Sequence, residues 1–202
     1  MLKHLPAPLQ ELWKVFTGFP GIGPKSALRM VMEILTWPEE KVQNIGKIIL
    51  TFREKLKPCV HCGLLSEEEE CSICRDPSRD ASLLCVVADL DSYLVLEEAG
   101  FYRGKYFILG GLYNPLEDKE LKGINLEGLR KRLADPELKE LILALGATVE
   151  AENTASYIKN MVSRDFSHLI LSRLAQGIPL GAEVKYMDQE TLKQSLNFRQ
   201  KI

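Results

Sequence analysis

Apolar residues recur at helical spacing early in the chain, first as Leu9, Leu12, Trp13 and Phe16, then as Ala27, Leu28, Met30, Val31, Ile34 and Leu35. Between the two runs lies Gly18-Phe19-Pro20-Gly21-Ile22-Gly23-Pro24, which no helix carries through. Two helices joined by Pro-Gly-Ile-Gly describe a helix–hairpin–helix. A third helix is expected over 39–57, with Pro38 at its start and Val42, Ile45, Ile48, Ile49 and Phe52 on its apolar face. The Met and aromatic side chains of these helices are expected to be core. Past residue 80 the period changes. Short apolar runs predict buried strands at 83–88, 105–109, 140–145 and 168–174, with helices at 92–99, 126–133 and about 150–162. Strands alternating with helices predict a parallel α/β sheet with helices on its faces. Gly177-Ile178-Pro179-Leu180-Gly181 breaks the pattern, and an amphipathic helix at about 189–196 follows.

Between the two patterns sit four of the five cysteines, as Cys59-x2-Cys62 and Cys71-x2-Cys74, with eight residues separating the pairs. Each Cys-x2-Cys turn points two thiolates at one place, and two turns complete a tetrahedral set for zinc. Pro58 and Gly63 flank the first turn, as a backbone bent around an ion requires. Two disulfides would call for an export signal, yet Lys3, His4, Glu11 and Lys14 interrupt the first apolar positions. A redox Cys-x2-Cys would not need the second pair. Four cysteines leave no open coordination position, so the zinc is expected to be structural. Cys85, inside Leu83-Leu84-Cys85-Val86-Val87, reads as a buried free thiol and not a nucleophile.

The composition is that of a soluble globular protein, 46% hydrophobic and 27% charged, with no apolar run of membrane-spanning length, and a cytoplasmic location is expected. Net charge is −2, but its distribution is uneven. Residues 1–57 carry nine Lys/Arg and five Asp/Glu, a balance of +4; the rest carry 17 and 23, a balance of −6. Contact with a polyanion is therefore expected to start from the N-terminal segment. Gly21 and Gly23 let the hairpin backbone take unusual dihedrals and come close to a ligand, and Pro24 suits the first position of the next helix. The turn's N–H groups and the helix's positive end then face a phosphate, and Lys25 and Arg29, four apart on one face, add two contacts. Such contacts grip the sugar–phosphate backbone and read no bases, so binding should be sequence-independent and salt-dependent. Glu67-Glu68-Glu69-Glu70, between the cysteine pairs, reads as a solvated loop tip.

In open parallel sheets ligands gather at the carboxyl ends of strands. There the chain offers Asp89, Asp91, Glu150 and Glu152, which can hold Mg²⁺ in principle. The preferred reading is structural: Asp91 or Thr148 caps the following helix, and Glu150 and Glu152 complement its dipole. No Gly-x4-Gly-Lys-Ser/Thr loop offers a cradle for ATP. His4, His61 and His168 are scattered with no nucleophile nearby, and His168, opening an apolar strand, reads as structural.

The order of parts resembles the RecR family of bacterial recombination mediators. The resemblance runs from about Leu5 to Arg199. It is carried by Phe19-Pro20-Gly21-Ile22-Gly23-Pro24-Lys25-Ser26-Ala27, Cys71-Ser72-Ile73-Cys74, Arg103-Gly104-Lys105-Tyr106-Phe107-Ile108-Leu109, Thr154-Ala155-Ser156-Tyr157-Ile158 and Ser172-Arg173-Leu174-Ala175-Gln176-Gly177-Ile178-Pro179-Leu180-Gly181. It implies a helix–hairpin–helix DNA-binding segment at 1–57, a four-cysteine zinc finger at 58–75, a Toprim domain at 82–177 and a C-terminal tail and helix at 178–202. It implies a dimer or tetramer ring around DNA that acts with RecO and RecF to help load RecA at gapped DNA. Family DNA-binding positions match Lys25 and Arg29. In catalytic Toprim enzymes acids occupy the positions that here are Ala88, Gly146 and Thr148. Without them two metals cannot be clamped across a phosphoryl displacement, so a non-enzymatic mediator is expected. The alternative is a Mg-dependent Toprim nuclease or primase using Asp89, Asp91, Glu150 and Glu152.

Overall fold

Helices α1 (Ala7–Thr17), α2 (Pro24–Ile34) and α3 (Glu39–Lys55) belong to the first of two units into which the chain divides, Met1–Lys55 and Leu56–Ile202. The computed structural model describes residues 5–114 and 123–200; His4 lies outside them. Pro24 opens α2 at its first position, where a missing N–H leaves nothing unsatisfied. α3 carries Glu39 and Glu40 in its first turn and Arg53 and Lys55 in its last, so charge complements the dipole at both ends. Among the described residues of this unit only Ala27 and Val31 are fully buried. The expected Met and aromatic core is therefore corrected: Met30 and Met32 are exposed, Trp13 and Phe16 half-buried. Along α3, Val42, Ile48, Ile49 and Phe52 are exposed and only Ile45 is half-buried. So short a helical segment has too little volume to enclose the stripes its sequence provides.

The second unit begins with an antiparallel pair, β1 (Lys57–Pro58) and β2 (Leu65–Ser66), followed by the one-turn helix α4 (Ser72–Arg75). Then come β3 (Asp80–Val87), α5 (Leu90–Glu98), β4 (Gly104–Ile108), α6 (Leu126–Leu133), β5 (Glu140–Ala144), α7 (Val149–Asp165) and β6 (Ile170–Arg173). A 3₁₀ turn at Val184–Tyr186 and α8 (Gln189–Asn197) follow. The four long strands form one parallel sheet in the order β4-β3-β5-β6, the alternating α/β architecture expected. No helix among the described residues is long and apolar enough to cross a membrane.

Burial on both faces explains why these strands read as unbroken apolar runs. Leu84, Val86, Phe107, Leu141 and Leu143 pack with α6 and α7 through Leu129, Leu133, Ile158 and Met161. Cys85, Val87, Tyr106 and Ile108 join a second cluster with Tyr93 of α5 and with Cys59, Cys62, Leu64, Cys71 and Ile73 of the cysteine segment. That segment also covers an edge. Ile108 N–H, on the side of β4 without a strand neighbour, donates to Cys62 O at 2.8 Å. Several boundaries differ from expectation: β3 starts at Asp80, α3 ends at Lys55, and α7 runs on to Asp165. α5 starts at Leu90, two residues early, because Asp89 caps it. β6 starts at Ile170, since its ladder with β5 runs only from Glu140↔Ile170 to Leu143↔Arg173; His168 precedes the strand and does not open it.

Candidate functional site

Three places bear on chemistry: the hairpin of the first unit, and the cysteine cluster and the strand ends of the second. The first is the hairpin. Gly21 sits at φ 78°, in the left-handed region where a side chain is strained, and Ile22 N–H closes the turn on Phe19 O at 3.2 Å. Gly23 differs from expectation: at φ −76° and ψ 165° any residue can adopt its backbone. A Cβ there meets nothing within 4 Å, so what its missing side chain provides is open approach to the start of α2. Gly23 O accepts from Ala27 N–H at 3.0 Å, while the N–H groups of Lys25 and Ser26 have no backbone acceptor among the described residues. Lys25 and Arg29 are exposed on the face of α2 opposite buried Ala27 and Val31, and neither is paired with an acid among the described residues. Trp13 was missed by the sequence reading as anything but core. Its indole Nε1–H donates to Pro24 O at 3.0 Å and pins α1 to the first residue of α2.

The second arrangement is the cysteine cluster. The turn between β1 and β2 is drawn tight by Cys59 N–H to Leu64 O (2.8 Å) and Gly63 N–H to Cys59 O (2.9 Å). Gly63 takes φ 77°, and a Cβ there would lie 3.1 Å from Ile108 O, so glycine is required twice over. The second pair is set by α4: Cys71 is its N-cap, and Cys71 Sγ accepts from Cys74 N–H at 3.5 Å. Cys71 N–H in turn points at Cys59 Sγ, 3.4 Å away. All four sulfurs lie within 4.8 Å of one another, and Cys62 and Cys71 Sγ are 3.6 Å apart. Tetrahedral zinc with Zn–S bonds near 2.3 Å separates its sulfurs by about 3.8 Å, so the cluster fits the ion. Burial pushes the Cys71 thiol up to about 11, and Cys62, hydrogen-bonded to Cys74, is pushed up further. The Cys62 thiol in turn holds Cys74 down to about 6. Thiols this close resist full ionisation by themselves; a dication supplies what four thiolates lack.

The third place is the crevice where β3 and β5 end, the switch point of the strand order. Two of its four acids, Asp89 and Glu152, are engaged structurally. Asp89 caps α5 through Ser92 N–H at 2.8 Å, a bond that holds its carboxyl below the usual range; the expected cap, Asp91, lies in the helix's first turn. Thr148 caps α7 as expected, accepting from Ala151 N–H at 3.2 Å. Glu152 is held by Arg173 (3.0 Å) and Gln176 (3.3 Å). Beside them a cleft of about 730 Å³ runs between the ends of β5 and β6 and the tail helix α8.

Set against known proteins, the chain matches the RecR helix-hairpin-helix family over residues 9–52, the RecR four-cysteine zinc finger domain over 56–76, a Toprim domain over 82–175 and the RecR C-terminal family over 177–200. It is 50% identical over 201 residues to a recombination protein RecR of Maridesulfovibrio salexigens, covering 100% of both chains. Identity to that of Nitratidesulfovibrio vulgaris is 48% over 199 residues, 98% of this chain and 99% of the relative. A Bifidobacterium adolescentis relative is 37% identical over 96% of each. The chain belongs to the RecR family. The four cysteines fall in the RecR zinc finger domain and are placed to hold its zinc; a metal held by all four would fix the backbone of β1, β2 and α4 and leave no position for a substrate. As a RecR-family sheet, β3–β6 carries the Toprim frame with Ala88, Gly146 and Thr148 at its mouth, one of them a helix cap. His61 faces Glu70 at 3.9 Å on the finger's surface, outside the ligand set.

Proposed function

We propose that the protein is a non-enzymatic recombination mediator in DNA repair. It holds the sugar–phosphate backbone of DNA with the hairpin of the first unit, at Gly21, Gly23, Lys25 and Arg29. The observation that carries this reading is the hairpin face: two unpaired cations one helical turn apart, beside unclaimed N–H groups at a helix's positive end. The family of the chain supports the reading, its relatives being named recombination proteins. With Asp89 engaged as a cap and Glu152 in an ion pair, the sheet serves as scaffold. Asp91 and Glu150 are left, and with Ala88, Gly146 and Thr148 where catalytic Toprim enzymes carry acids they do not make the carboxylate set that clamps two metals across a phosphoryl displacement.

The chain works as a homo-oligomer, a dimer or tetramer ring. The exposed apolar stripe of α3 supports association, and a net charge of −2, with only the first segment positive, explains the need for it. One copy presents two phosphate contacts; several copies around one lumen multiply them. The acidic remainder of each chain is then left for RecO and RecF, the partners that the family resemblance implies, in loading RecA at gaps.

The test is binding to fluorescent gapped DNA across a salt series in Mg²⁺, wild type beside Lys25→Ala/Arg29→Ala. Wild type should bind with steep salt dependence and leave the strands intact. The double variant should lose at least about tenfold in affinity, with a salt slope shallower by about one unit per lost phosphate contact. Binding indifferent to both substitutions, or strands cut in Mg²⁺, refutes the reading.

A further inference from the structure

Lys105 is a buried cation held by dipoles alone. It stands in β4 with 7% of its surface exposed, and its ammonium donates to Ile73 O at 2.9 Å, Cys74 O at 3.0 Å and Asp76 O at 2.8 Å. An ammonium has three donors, and all three are spent. The acceptors belong to α4 and the residue after it, so Lys105 closes the negative end of the short helix that delivers the second cysteine pair. No acid among the described residues comes within ion-pair distance of it. Asp76 turns its carboxylate to Ser78 (2.7 Å) and to Arg79 (3.5 Å). Of the other cations around the finger, Arg75 pairs with Glu68 and Arg79 with Glu97, while Arg132, whose charge reaches the Cys74 thiol, is bound to Asp135 at 2.5 Å.

A charge removed from water needs an opposite charge as well as oriented dipoles. Four thiolates outweigh one zinc dication, so the loaded finger is an anion. Lys105 grips the carbonyl of one of its four ligands, Cys74. We propose that Lys105 is a buried counter-cation of the zinc–thiolate centre and the link by which metal loading is felt in the sheet. It acts from outside the ligand set, as the hydrogen-bonded partners of metal ligands do elsewhere. Its place fits a coupling role. The same strand meets the finger again through Ile108 N–H to Cys62 O, so β4 touches both cysteine pairs, one by a backbone bond and one by the ammonium.

Lys105→Met keeps the length of the side chain and removes the charge. In the full chain, competition against a chromogenic chelator should show zinc held about 10–100-fold more weakly than by wild type. An unchanged zinc affinity, even with a lowered melting temperature, makes Lys105 an ordinary packing residue and overturns the proposal. Should the variant not fold, the wild type decides. With zinc bound, Lys105 should resist reductive methylation. After chelation, at a temperature where circular dichroism and an unalkylated Cys85 show the sheet intact, peptide mapping should find Lys105 modified. Equal protection with and without zinc overturns the proposal.

Discussion

Gly21 and Gly23 stand two residues apart in one turn, yet their backbones separate them. At φ 78° Gly21 needs glycine for its conformation; at φ −76° Gly23 does not. Gly21→Ala should therefore destabilise the first unit by about 1–2 kcal/mol, the strain of the left-handed region. Gly23→Ala should change stability by less than about 1 kcal/mol, because the freedom lost by the unfolded chain is offset by the poorer N-cap alanine makes. Its methyl group projects into the space a phosphate would enter, so DNA affinity should fall while the melting temperature holds. Thermal denaturation and DNA titration of the two variants separate these effects; Gly23→Ala binding as wild type does would remove the phosphate from this turn. The hairpin was readable in the sequence because its residue types act where they stand. Trp13 and Lys105 were not, since their partners lie 11 and about 30 residues away and no local spacing encodes them. A lysine amid Tyr106, Phe107 and Ile108 was nonetheless a signal that a buried cation had a partner to find.

The zinc finger contributes to the core as well as to the surface. Its cysteines share a cluster with Val87, Tyr106 and Ile108, and its first turn pairs with the open edge of β4. Losing the metal therefore loosens one face and one edge of the sheet at once. Cys59→Ala should lower the melting temperature by more than about 5 °C and promote aggregation, and a chelator should bring wild type toward the variant's value. A demonstrably zinc-free variant that melts with wild type would deny the finger this role. The four long strands were readable because both their faces are buried and their apolar runs are unbroken. β1, β2 and α4 were invisible, being two to four residues long and shaped by cysteine geometry in place of any hydrophobic period. At the strand ends the sequence placed a cap correctly at Thr148 and two residues late at Asp91. Aspartates on either side of Leu90 are equivalent to a pattern, and only the backbone φ of −148° at Asp89 selects the first.

What the chain leaves uncovered bears on how many copies work together. In α3, Ile48, Ile49 and Phe52 are 55%, 62% and 48% exposed along one side of a helix with no buried residue. Contiguous apolar surface of this kind marks an association face, and a symmetric homo-oligomer is the commonest way for a chain to cover it. The electrostatics point the same way: with a net charge of −2, a single copy has a weak claim on a polyanion. Two or four hairpins acting together bind through effective concentration, gaining avidity without any new contact. Ile49→Asp/Phe52→Asp places charge in that face and leaves the hairpin, the finger and the sheet untouched. Sedimentation equilibrium should show wild type at a multiple of the chain mass and the variant at a smaller one. DNA affinity should drop with the assembly, toward the weak binding of one pair of cations, while zinc content and the melting of the second unit stay as in wild type. A variant that keeps the wild-type mass excludes α3 as the association face. A variant that becomes monomeric and still binds DNA as tightly as wild type breaks the tie between assembly and affinity on which the ring rests.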